Sequence, residues 1–179
     1  MNWTLAQARP EGAIIVDEYW ARADLLGSTL EGSEFHNPPS AGLGWGVPAS
    51  LGVQLESPGQ IVISTVGDGA YMFANPSACH QVMATNRLPV ITVICNNGRW
   101  GAVQSSALGM YPDGHTADGG ISPLAVLDQS HSFELYADAT GGYGQRVEDR
   151  SEFKPALEKA IDVVRNEGRH VVLNVISED

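Results

Sequence analysis

The stretch IVISTVGDG at residues 61–69 is followed by a second stretch of the same kind, VITVICNNG at residues 90–98. Each begins with a short run of apolar, mostly β-branched residues, which predicts a strand buried on both faces of a parallel sheet. Each ends with glycine beside an oxygen-bearing side chain, Asp68 in the first and Asn97 in the second. These two stretches decide the fold, because the segment between them predicts how the strands are joined.

A single crossover helix is predicted between the two strands, over residues 76–86. Asn75 can cap this helix, and Pro76 suits its first position, where proline removes no hydrogen bond of the helix. Strand, helix and strand within about 30 residues form a βαβ unit, whose two strands run parallel. Asp68 and Asn97 are therefore expected at the same carboxyl edge of the sheet, where open α/β sheets bind ligands.

The residue types at this edge suit a magnesium ion. Mg²⁺ prefers near-octahedral oxygen ligands, of which carboxylates supply one or two and phosphates and water supply others. Asp68 offers a carboxylate, Asn97 offers an amide oxygen, and the chain after Asn97 can turn a carbonyl inward. Glycines 67, 69 and 98 let the backbone approach an anion closely. The pattern predicts a metal ion that binds a diphosphate. The alternative is that GDG and NNG are two ordinary turns after buried strands.

The spacing of GDG and NN across one strand–helix–strand unit resembles the diphosphate-binding motif of thiamine-diphosphate-dependent enzymes. The longer stretches GLGWGVPA at residues 42–49 and NNGRWGAV at residues 96–103 are similar to the acetolactate synthase and benzoylformate decarboxylase branch of that family. The likeness runs from about Pro10 to Ile176. It matches only the C-terminal, diphosphate-binding domain of those enzymes.

The resemblance implies a role for each residue of these motifs. Asp68 and Asn97 would bind Mg²⁺ through their side chains, and Arg99 would bind it through its backbone carbonyl. Gly69 and Ala70 would present backbone amides to the diphosphate of the cofactor.

Leu43 would support the bend between the two rings of thiamine diphosphate, although a plain core leucine is the alternative. The carbonyl of Ala41 would accept a hydrogen bond from the 4′-amino group, and Gly67 and Trp100 complete the expected cofactor-binding set. The resemblance assigns no certain catalytic residue beyond this supporting role of Leu43. One departure concerns the segment after the first strand, where relatives tend to carry hydroxyl residues that contact the diphosphate; here Asp17 and Glu18 are followed by YWA at residues 19–21, so direct side-chain contacts to phosphate from this segment are not expected.

The whole chain predicts one three-layer α/β/α domain, residues 1–179 with a core from about 10 to 176, around a mainly parallel sheet of five or six strands. The family's N-terminal pyrimidine-binding domain and middle domain have no counterpart in it. In the family, the pyrimidine-binding domain, usually of a partner subunit, supplies a glutamate that activates the cofactor. The chain is therefore expected to be an excised domain or one subunit of a split enzyme, part of an oligomer, and inactive alone.

The remaining segments alternate between predicted helices and strands. Strands are predicted at residues 13–16, 145–147 and 171–176, after a short polar lead-in over residues 1–11. Helices are predicted at residues 20–30, 45–55, 132–140, and from a cap at Ser151 through Phe153, Leu157, Ile161 and Val164 to Gly168. Segments rich in turn-forming residues, 36–44 and 109–120, are predicted to be loops, the second a mobile cover over the cofactor.

Composition excludes several classes of partner. The formal net charge of −11 argues against nucleic acid and anionic membranes as partners, since both need a basic surface. No apolar run reaches the length of a membrane span, and a cytoplasmic protein with reduced Cys79 and Cys95 is expected. Two cysteines are also too few for the iron–sulfur clusters of the ferredoxin-coupled 2-oxoacid oxidoreductases, which carry a similar diphosphate motif.

The resemblance implies an assembled enzyme that decarboxylates a small 2-oxo acid and either releases an aldehyde or joins the remaining fragment to a second carbonyl. One alternative is a cofactor-binding domain without catalysis that acts as a regulatory or structural partner. Another is a nicotinamide-dependent oxidoreductase, because residues 44–49 match GxGxxA and Asp68 follows at a suitable distance. That fingerprint must follow a strand, and two prolines argue against a strand at residues 35–40.

Histidines carry little functional signal in this sequence. His115 could contact substrate, but an exposed histidine without a role is the preferred interpretation. A second metal site made of Asp113, His115 and Asp118 is a weaker alternative. The other histidines have no carboxylate or cysteine at a diagnostic spacing and receive no assignment.

Overall fold

The computed structural model describes residues 1–18, 23–26, 34–36, 42–119, 124–127, 129 and 131–177. Six strands of this part form one sheet: β1 Ile14–Asp17, β2 Glu34–His36, β3 Val62–Gly67, β4 Ile91–Asn96, β5 Tyr143–Val147 and β6 Val171–Ile176. Their order across the sheet is β2-β1-β3-β4-β6-β5, and every neighbouring pair is parallel. The prediction of a mainly parallel sheet of five or six strands is confirmed.

The helices occupy both sides of this sheet. They are α1 Asn2–Ala8, α2 Ala23–Leu26, α3 Gly46–Glu56, α4 Asp68–Phe73, α5 Pro76–Asn86, α6 Gly101–Met110, α7 His115–Gly119, α8 Leu135–Asp138 and α9 Arg150–Asp162. A π-helical turn, Val163–Glu167, continues α9. Helices α1, α2 and α9 cover one face, whereas α3, α4, α5 and α8 cover the other.

Two hydrophobic clusters, one on each face, hold the three layers together. Alternate residues of one strand serve different clusters, since side chains of a strand point alternately to opposite faces. Ile15 and Ile63 belong to the cluster under α9, whereas Val16 and Val62 belong to the cluster under α3 and α5. Burial on both faces explains why β1, β3 and β4 are almost continuously apolar.

The predicted amphipathic helix over residues 151–168 is confirmed with one correction at its start. Its apolar positions, Phe153, Leu157, Ile161 and Val164, all lie in the cluster under α9. The cap is Asp149 rather than Ser151: the Asp149 carboxylate accepts from the Ser151 amide at 2.7 Å and forms a capping box with Glu152. A carboxylate two residues before Ser151 reaches the free amides of the first turn.

Several other expectations about local structure need correction. The polar lead-in contains helix α1, because Leu5 is fully buried against α9. Asn75 precedes α5 in a left-handed conformation but makes no side-chain cap bond. The segment 35–40 was predicted not to be a strand, yet Glu34–His36 pairs with β1 at the sheet edge, ahead of the two prolines.

The segment 109–120 is not one continuous loop. Gly109 and Met110 end α6, and His115–Gly119 forms α7. The predicted helix at 132–140 shortens to α8, and most of the predicted helix at 20–30 lies outside the described residues. Short α4, immediately after β3, was not foreseen at all. These differences leave the order of layers unchanged.

Cys79 and Cys95 are both free and buried, in agreement with the expectation of reduced core thiols. Burial raises the pKa of each thiol. Within the part of the chain described here, no helix combines the length and the apolar character needed to cross a bilayer.

A buried polar cluster connects α4, α5 and the start of β6. The His80 ring stacks on His170 with 5.2 Å between centroids, and His80 Nε2 lies 2.7 Å from the Tyr71 hydroxyl. His170 Nε2 lies 3.0 Å from Thr140 Oγ1. Burial, reinforced by His170, lowers the pKa of His80 to about 3, and burial also lowers the pKa of His170. Burial therefore favours the neutral form of both imidazoles in the folded protein.

Acidification should destabilise the fold through these histidines. Below the ordinary histidine pKa, about 6.5, the unfolded chain takes up protons that the folded chain does not. The contribution of these histidines to the free energy of unfolding is therefore fully present above about pH 6.5 and is lost as the pH drops. The loss at pH 5 is about 2 kcal/mol from His80 alone. Urea denaturation between pH 5 and 7.5 measures this slope.

His80→Gln should flatten the slope, because an amide can still bond to the Tyr71 hydroxyl but does not titrate. His115→Asn, at an exposed position, is the matched control and should leave the slope unchanged. A wild-type slope in His80→Gln would contradict the assignment.

Candidate functional site

The parallel pairing of β3 and β4 sets the geometry of the candidate site. Gly67 pairs with Cys95, so the residues that follow both strands emerge at the same carboxyl edge. Asp68 is the first residue of α4, and Asn97 comes directly after the last residue of β4. The predicted juxtaposition of these two residues is present in the structure.

Asp68 and Asn97 converge on one backbone amide. The Arg99 N–H donates to Asp68 Oδ2 at 3.2 Å and to Asn97 Oδ1 at 3.1 Å. Asp68 is 3% exposed, and burial raises its pKa, whereas the amides of Gly69 and of the loop after β4 counteract that effect. A buried carboxylate and an amide oxygen that meet in this way form a suitable pair of ligands for a hard cation.

A cavity of about 270 Å³ opens beside this pair. Eight residues of the predicted cofactor-binding set line it: Leu43, Gly67, Asp68, Gly69, Ala70, Asn97, Arg99 and Trp100. The ninth, Ala41, lies outside the described residues, as do Tyr19, Trp20 and Ala21. The sequence motifs are thus brought together around one space, on the same edge of the sheet.

Trp100 forms one wall of this cavity and requires glycine at position 69. A Cβ on Gly69 would lie 2.8 Å from Trp100 Cδ1, so the indole occupies the space of a side chain. The indole Nε1 is buried without a hydrogen-bond partner among the described residues. Because buried donors are rarely left unpaired, this group suits a bound acceptor such as a phosphate oxygen.

The Gly69 amide, which the resemblance assigns to the diphosphate, already has an acceptor within the protein. It donates to Asp68 Oδ1 at 2.6 Å. A diphosphate would have to compete with that carboxylate, or the metal would have to draw the carboxylate away. Ala70, the third residue of α4, belongs to a first turn whose amides have no acceptor within the helix.

Glu18 is a site residue that the sequence patterns did not reveal. It follows β1, lines the cavity, and accepts hydrogen bonds from the Gly44 amide at 2.6 Å and from the Gly46 amide. Gly46 is the first residue of α3, whose N-cap residue makes no side-chain cap bond, so Glu18 caps that helix from another element. The only hint in the sequence was a carboxylate at the end of a strand.

Glu18 thereby holds the turn that carries Leu43. Gly44 has φ +89°, and a Cβ there would lie 2.5 Å from the Phe73 carbonyl carbon, so the turn is pressed against the end of α4. Leu43 is 46% exposed and lines the cavity, which excludes the plain core leucine considered above.

A second asparagine, the last residue of β4, has a different environment. Asn96 is 1% exposed, and its Oδ1 accepts from the Gly98 amide at 3.1 Å. Gly98 has φ +66°, a conformation that glycine adopts without strain, and its carbonyl accepts from the Leu127 amide at 2.6 Å. The two adjacent asparagines therefore have different roles: Asn96 binds the backbone inside the protein, and Asn97 lines the cavity.

His115 begins α7 at an exposed position and is not among the residues that line the cavity. Among the side chains that the structure describes, no three His, Cys, Asp or Glu residues are placed to hold one metal ion. A second metal site at Asp113, His115 and Asp118 gains no support, although the side chain of Asp118 is not described.

Comparison with known proteins agrees with this geometry. Residues 23–175 match the family model for the C-terminal TPP-binding domain of thiamine pyrophosphate enzymes. The chain belongs to this family. Thiamine pyrophosphate and thiamine diphosphate are the same compound, so the family resemblance inferred from GDG and NN is confirmed.

Individual relatives extend the comparison. A probable acetolactate synthase of Mycobacterium bovis is 29% identical over 154 residues, which cover 86% of this chain and 26% of the relative. A sulfoacetaldehyde acetyltransferase of Alcaligenes xylosoxydans is 30% identical over 149 residues, or 82% of this chain and 23% of the relative. The chain thus spans about a quarter of the length of these curated relatives.

A solved structure shows the same fold. The thiamine diphosphate-dependent 4-hydroxybenzoylformate decarboxylase of Rhodococcus jostii superposes with a TM-score of 0.76 at 26% identity. The match covers 99% of this chain and 31% of that one. The chain is a TPP-binding domain of the kind found in thiamine-diphosphate-dependent decarboxylases and acetolactate synthase-like enzymes.

Family membership removes the nicotinamide alternative. The structure adds a physical reason, because the amides of Gly44 and Gly46 donate to the Glu18 carboxylate. In a dinucleotide fingerprint the glycines instead bring the backbone close to a pyrophosphate.

Removal of the Glu18 carboxylate should loosen the turn that carries Leu43. Glu18→Ala leaves two amides without their acceptor, and we expect a loss of about 2 kcal/mol in the free energy of unfolding, measured by urea denaturation. Glu18→Gln keeps one good acceptor, so its free energy of unfolding should lie between those of the wild type and Glu18→Ala. Glu56→Gln, at the exposed opposite end of α3, is the control. Wild-type stability in Glu18→Ala would contradict the role of Glu18 in holding the turn that carries Leu43.

Proposed function

We propose that this chain is one diphosphate-binding domain that holds thiamine diphosphate through Mg²⁺, as the C-terminal domain or subunit of a 2-oxo acid decarboxylase or carboligase. The observation that carries the proposal is the convergence of Asp68 Oδ2 and Asn97 Oδ1 on the Arg99 amide, at the edge of the cavity. Carboxylate and amide oxygens are the kinds of ligand that a small, hard cation such as Mg²⁺ takes in proteins.

The residues present fit the metal and the diphosphate. Asp68 and Asn97 would bind Mg²⁺ through side-chain oxygens, and Arg99 would add its backbone carbonyl. Trp100 Nε1, which lacks a partner among the described residues, would donate to the diphosphate. In a chain of net charge −11, an anion needs a metal and local N–H donors, and this edge of the sheet has oxygen ligands for a metal beside N–H groups.

When bound, the cofactor supplies the chemistry by which a 2-oxo acid loses carbon dioxide, while the protein supplies binding and orientation. Leu43 would support the bend between the cofactor rings, because its side chain lines the cavity and is 46% exposed in the chain alone. The Glu18 carboxylate would keep that support in place through the Gly44 amide.

A further domain would complete the site. Large apolar side chains are exposed beside the cavity: Phe73, which contacts the Trp100 ring, is 55% exposed, and Val103, which lines the cavity, is 46% exposed. Helix α6, which carries Val103, has no buried residue. Such a surface is typical of an interaction site.

We therefore propose that a pyrimidine-binding domain or subunit covers this face in an oligomer and supplies the catalytic glutamate, with a small 2-oxo acid as substrate. The chain alone would then be inactive. A cytoplasmic location belongs to the same proposal and is supported by two buried, unpaired cysteines. Measured decarboxylation by the chain combined with a pyrimidine-binding domain would reject the alternative that the chain binds the cofactor without catalysis.

Asp68→Asn should weaken Mg²⁺-dependent binding of thiamine diphosphate by about tenfold to a hundredfold, because the amide retains the shape of the carboxylate but not its charge. Isothermal titration calorimetry with Mg²⁺ and with EDTA measures the difference. Asp162→Asn removes the same charge from an exposed position on α9 and should bind as the wild type does. Equal affinity of Asp68→Asn and wild type would reject the metal assignment.

Leu43→Ala should separate ring recognition from diphosphate recognition. Affinity for inorganic pyrophosphate with Mg²⁺ should stay unchanged, whereas affinity for thiamine diphosphate should fall severalfold, since about three carbons of contact are lost. Competition titrations with the two ligands give the ratio. Leu55→Ala, at an exposed position of α3, is the control. A parallel loss of both affinities would show that Leu43 acts on the diphosphate end.

A further inference from the structure

Asn174 connects the last strand to the loop of the candidate metal site. It lies on β6, is 0% exposed, and pairs in register with Ile94 of β4. Its Oδ1 accepts from Asn96 Nδ2 at 3.1 Å, and its Nδ2 donates to Glu134 Oε2 at 2.7 Å. A continuous series of side-chain hydrogen bonds therefore runs from Glu134 through Asn174 to Asn96.

The Glu134 end of this series fixes the direction of every hydrogen bond in it. An ionised carboxylate only accepts, so Asn174 must turn its NH₂ group toward Glu134. The same NH₂ group donates to the His131 carbonyl at 3.1 Å, which requires the same orientation. Asn174 then presents its oxygen to Asn96, and Asn96 must turn its own NH₂ group toward Asn174.

The inner end of the series is the loop after β4. With its NH₂ group committed to Asn174, Asn96 directs Oδ1 at the Gly98 amide, 3.1 Å away. The opposite orientation of Asn96 would set an NH₂ group against the Gly98 N–H, which is a donor as well. Because Asn96 and Asn174 are 1% and 0% exposed, bulk water cannot replace the partners that such a reversal would remove.

We propose that Asn174 and Glu134 are positioning residues that set the amide orientation of Asn96 and thereby fix the loop from Asn96 to Arg99. This inference rests on the proposed function, because that loop carries Asn97 and the Arg99 amide that Asp68 and Asn97 share. Neither residue lines the cavity. Their effect on the metal would pass through the Gly98 amide.

Asn174→Asp tests the direction of the series. The new carboxylate would face Glu134 at the position where the wild type has an NH₂ donor, so the two groups repel. We expect the Mg²⁺-dependent affinity for inorganic pyrophosphate to fall about tenfold, as for other residues that orient metal ligands. In the metal-free protein, we expect faster hydrogen exchange of the Gly98 amide, followed by NMR.

A second substitution should reverse the defect. In the double variant Asn174→Asp with Glu134→Gln, the new amide donates to the new carboxylate, and the bond between positions 134 and 174 reforms with its direction reversed. The side chain at position 174 only accepts from Asn96, which a carboxylate does as well, so the inner bonds keep their direction. Because a carboxylate at position 174 cannot donate to the His131 carbonyl, the rescue is partial: Gly98 should exchange more slowly, and pyrophosphate should bind more tightly, than in Asn174→Asp. A role in packing alone would predict that two substitutions are worse than one.

Asn166→Asp is the matched control. Asn166 Nδ2 donates to Asp162 Oδ1 at 2.6 Å on the exposed side of α9 and its π-helical extension, so the substitution sets two carboxylates together far from the loop. It should change neither Gly98 exchange nor pyrophosphate affinity. Single Glu134→Gln completes the double-mutant cycle.

Two results would overturn the proposal: wild-type exchange at Gly98 in Asn174→Asp, or a double variant no better than Asn174→Asp. If Asn174→Asp does not fold, exchange at Gly98 in the double variant decides, and fast exchange there counts against the proposal. Failure of the proposed function has a different signature, since the wild type would then bind neither pyrophosphate nor thiamine diphosphate while the exchange results stand.

Discussion

The parallel pairing of β3 with β4 is the constraint on which the site depends. It brings the ends of two strands together, so that Asp68 and Asn97, far apart in the chain, accept from the same Arg99 amide. The crossover through α4 and α5 makes this pairing possible, and the hydrophobic clusters on both faces hold it. A slip of one residue in this register would turn the side chains of the slipped strand to the opposite face of the sheet.

Around that pair, the half-buried Glu18 and the buried Asn96 give the site its shape. Glu18 binds the turn of Leu43 on one side, and Asn96 binds the Gly98 amide on the other. Such groups are costly to bury unless every partner is present, and this requirement makes each of them specify one arrangement. The shape of the cavity therefore depends on hydrogen bonds to the backbone from Glu18, which lines it, and from Asn96, which does not.

The sequence predicted the central part of the fold and most of the site. Continuous β-branched runs identified β3 and β4, and the GDG and NN motifs placed Asp68 and Asn97 at one edge. The family match across residues 23–175 agrees with that prediction. These features were predictable because a buried parallel strand and its polar ending are local in sequence.

Features that depend on distant partners were missed. β2 exists because it pairs with β1, although it spans only Glu34–His36 and precedes two prolines. α1 depends on the packing of Leu5 in the hydrophobic cluster under α9. The N-cap of α9 is Asp149 rather than Ser151. The contacts of Glu18 with Gly44 and of Asn174 with Glu134 join residues 26 and 40 positions apart, which no local pattern records.

The proposed function requires one cation bound between Asp68 and Asn97. A crystal of this chain grown with Mn²⁺ and inorganic pyrophosphate tests it most directly, because Mn²⁺ accepts the same oxygen ligands as Mg²⁺ and scatters anomalously. We expect one anomalous peak within bonding distance of the side-chain oxygens of Asp68 and Asn97, with the pyrophosphate on its far side. A peak elsewhere, or pyrophosphate bound at this edge without the metal, would contradict it.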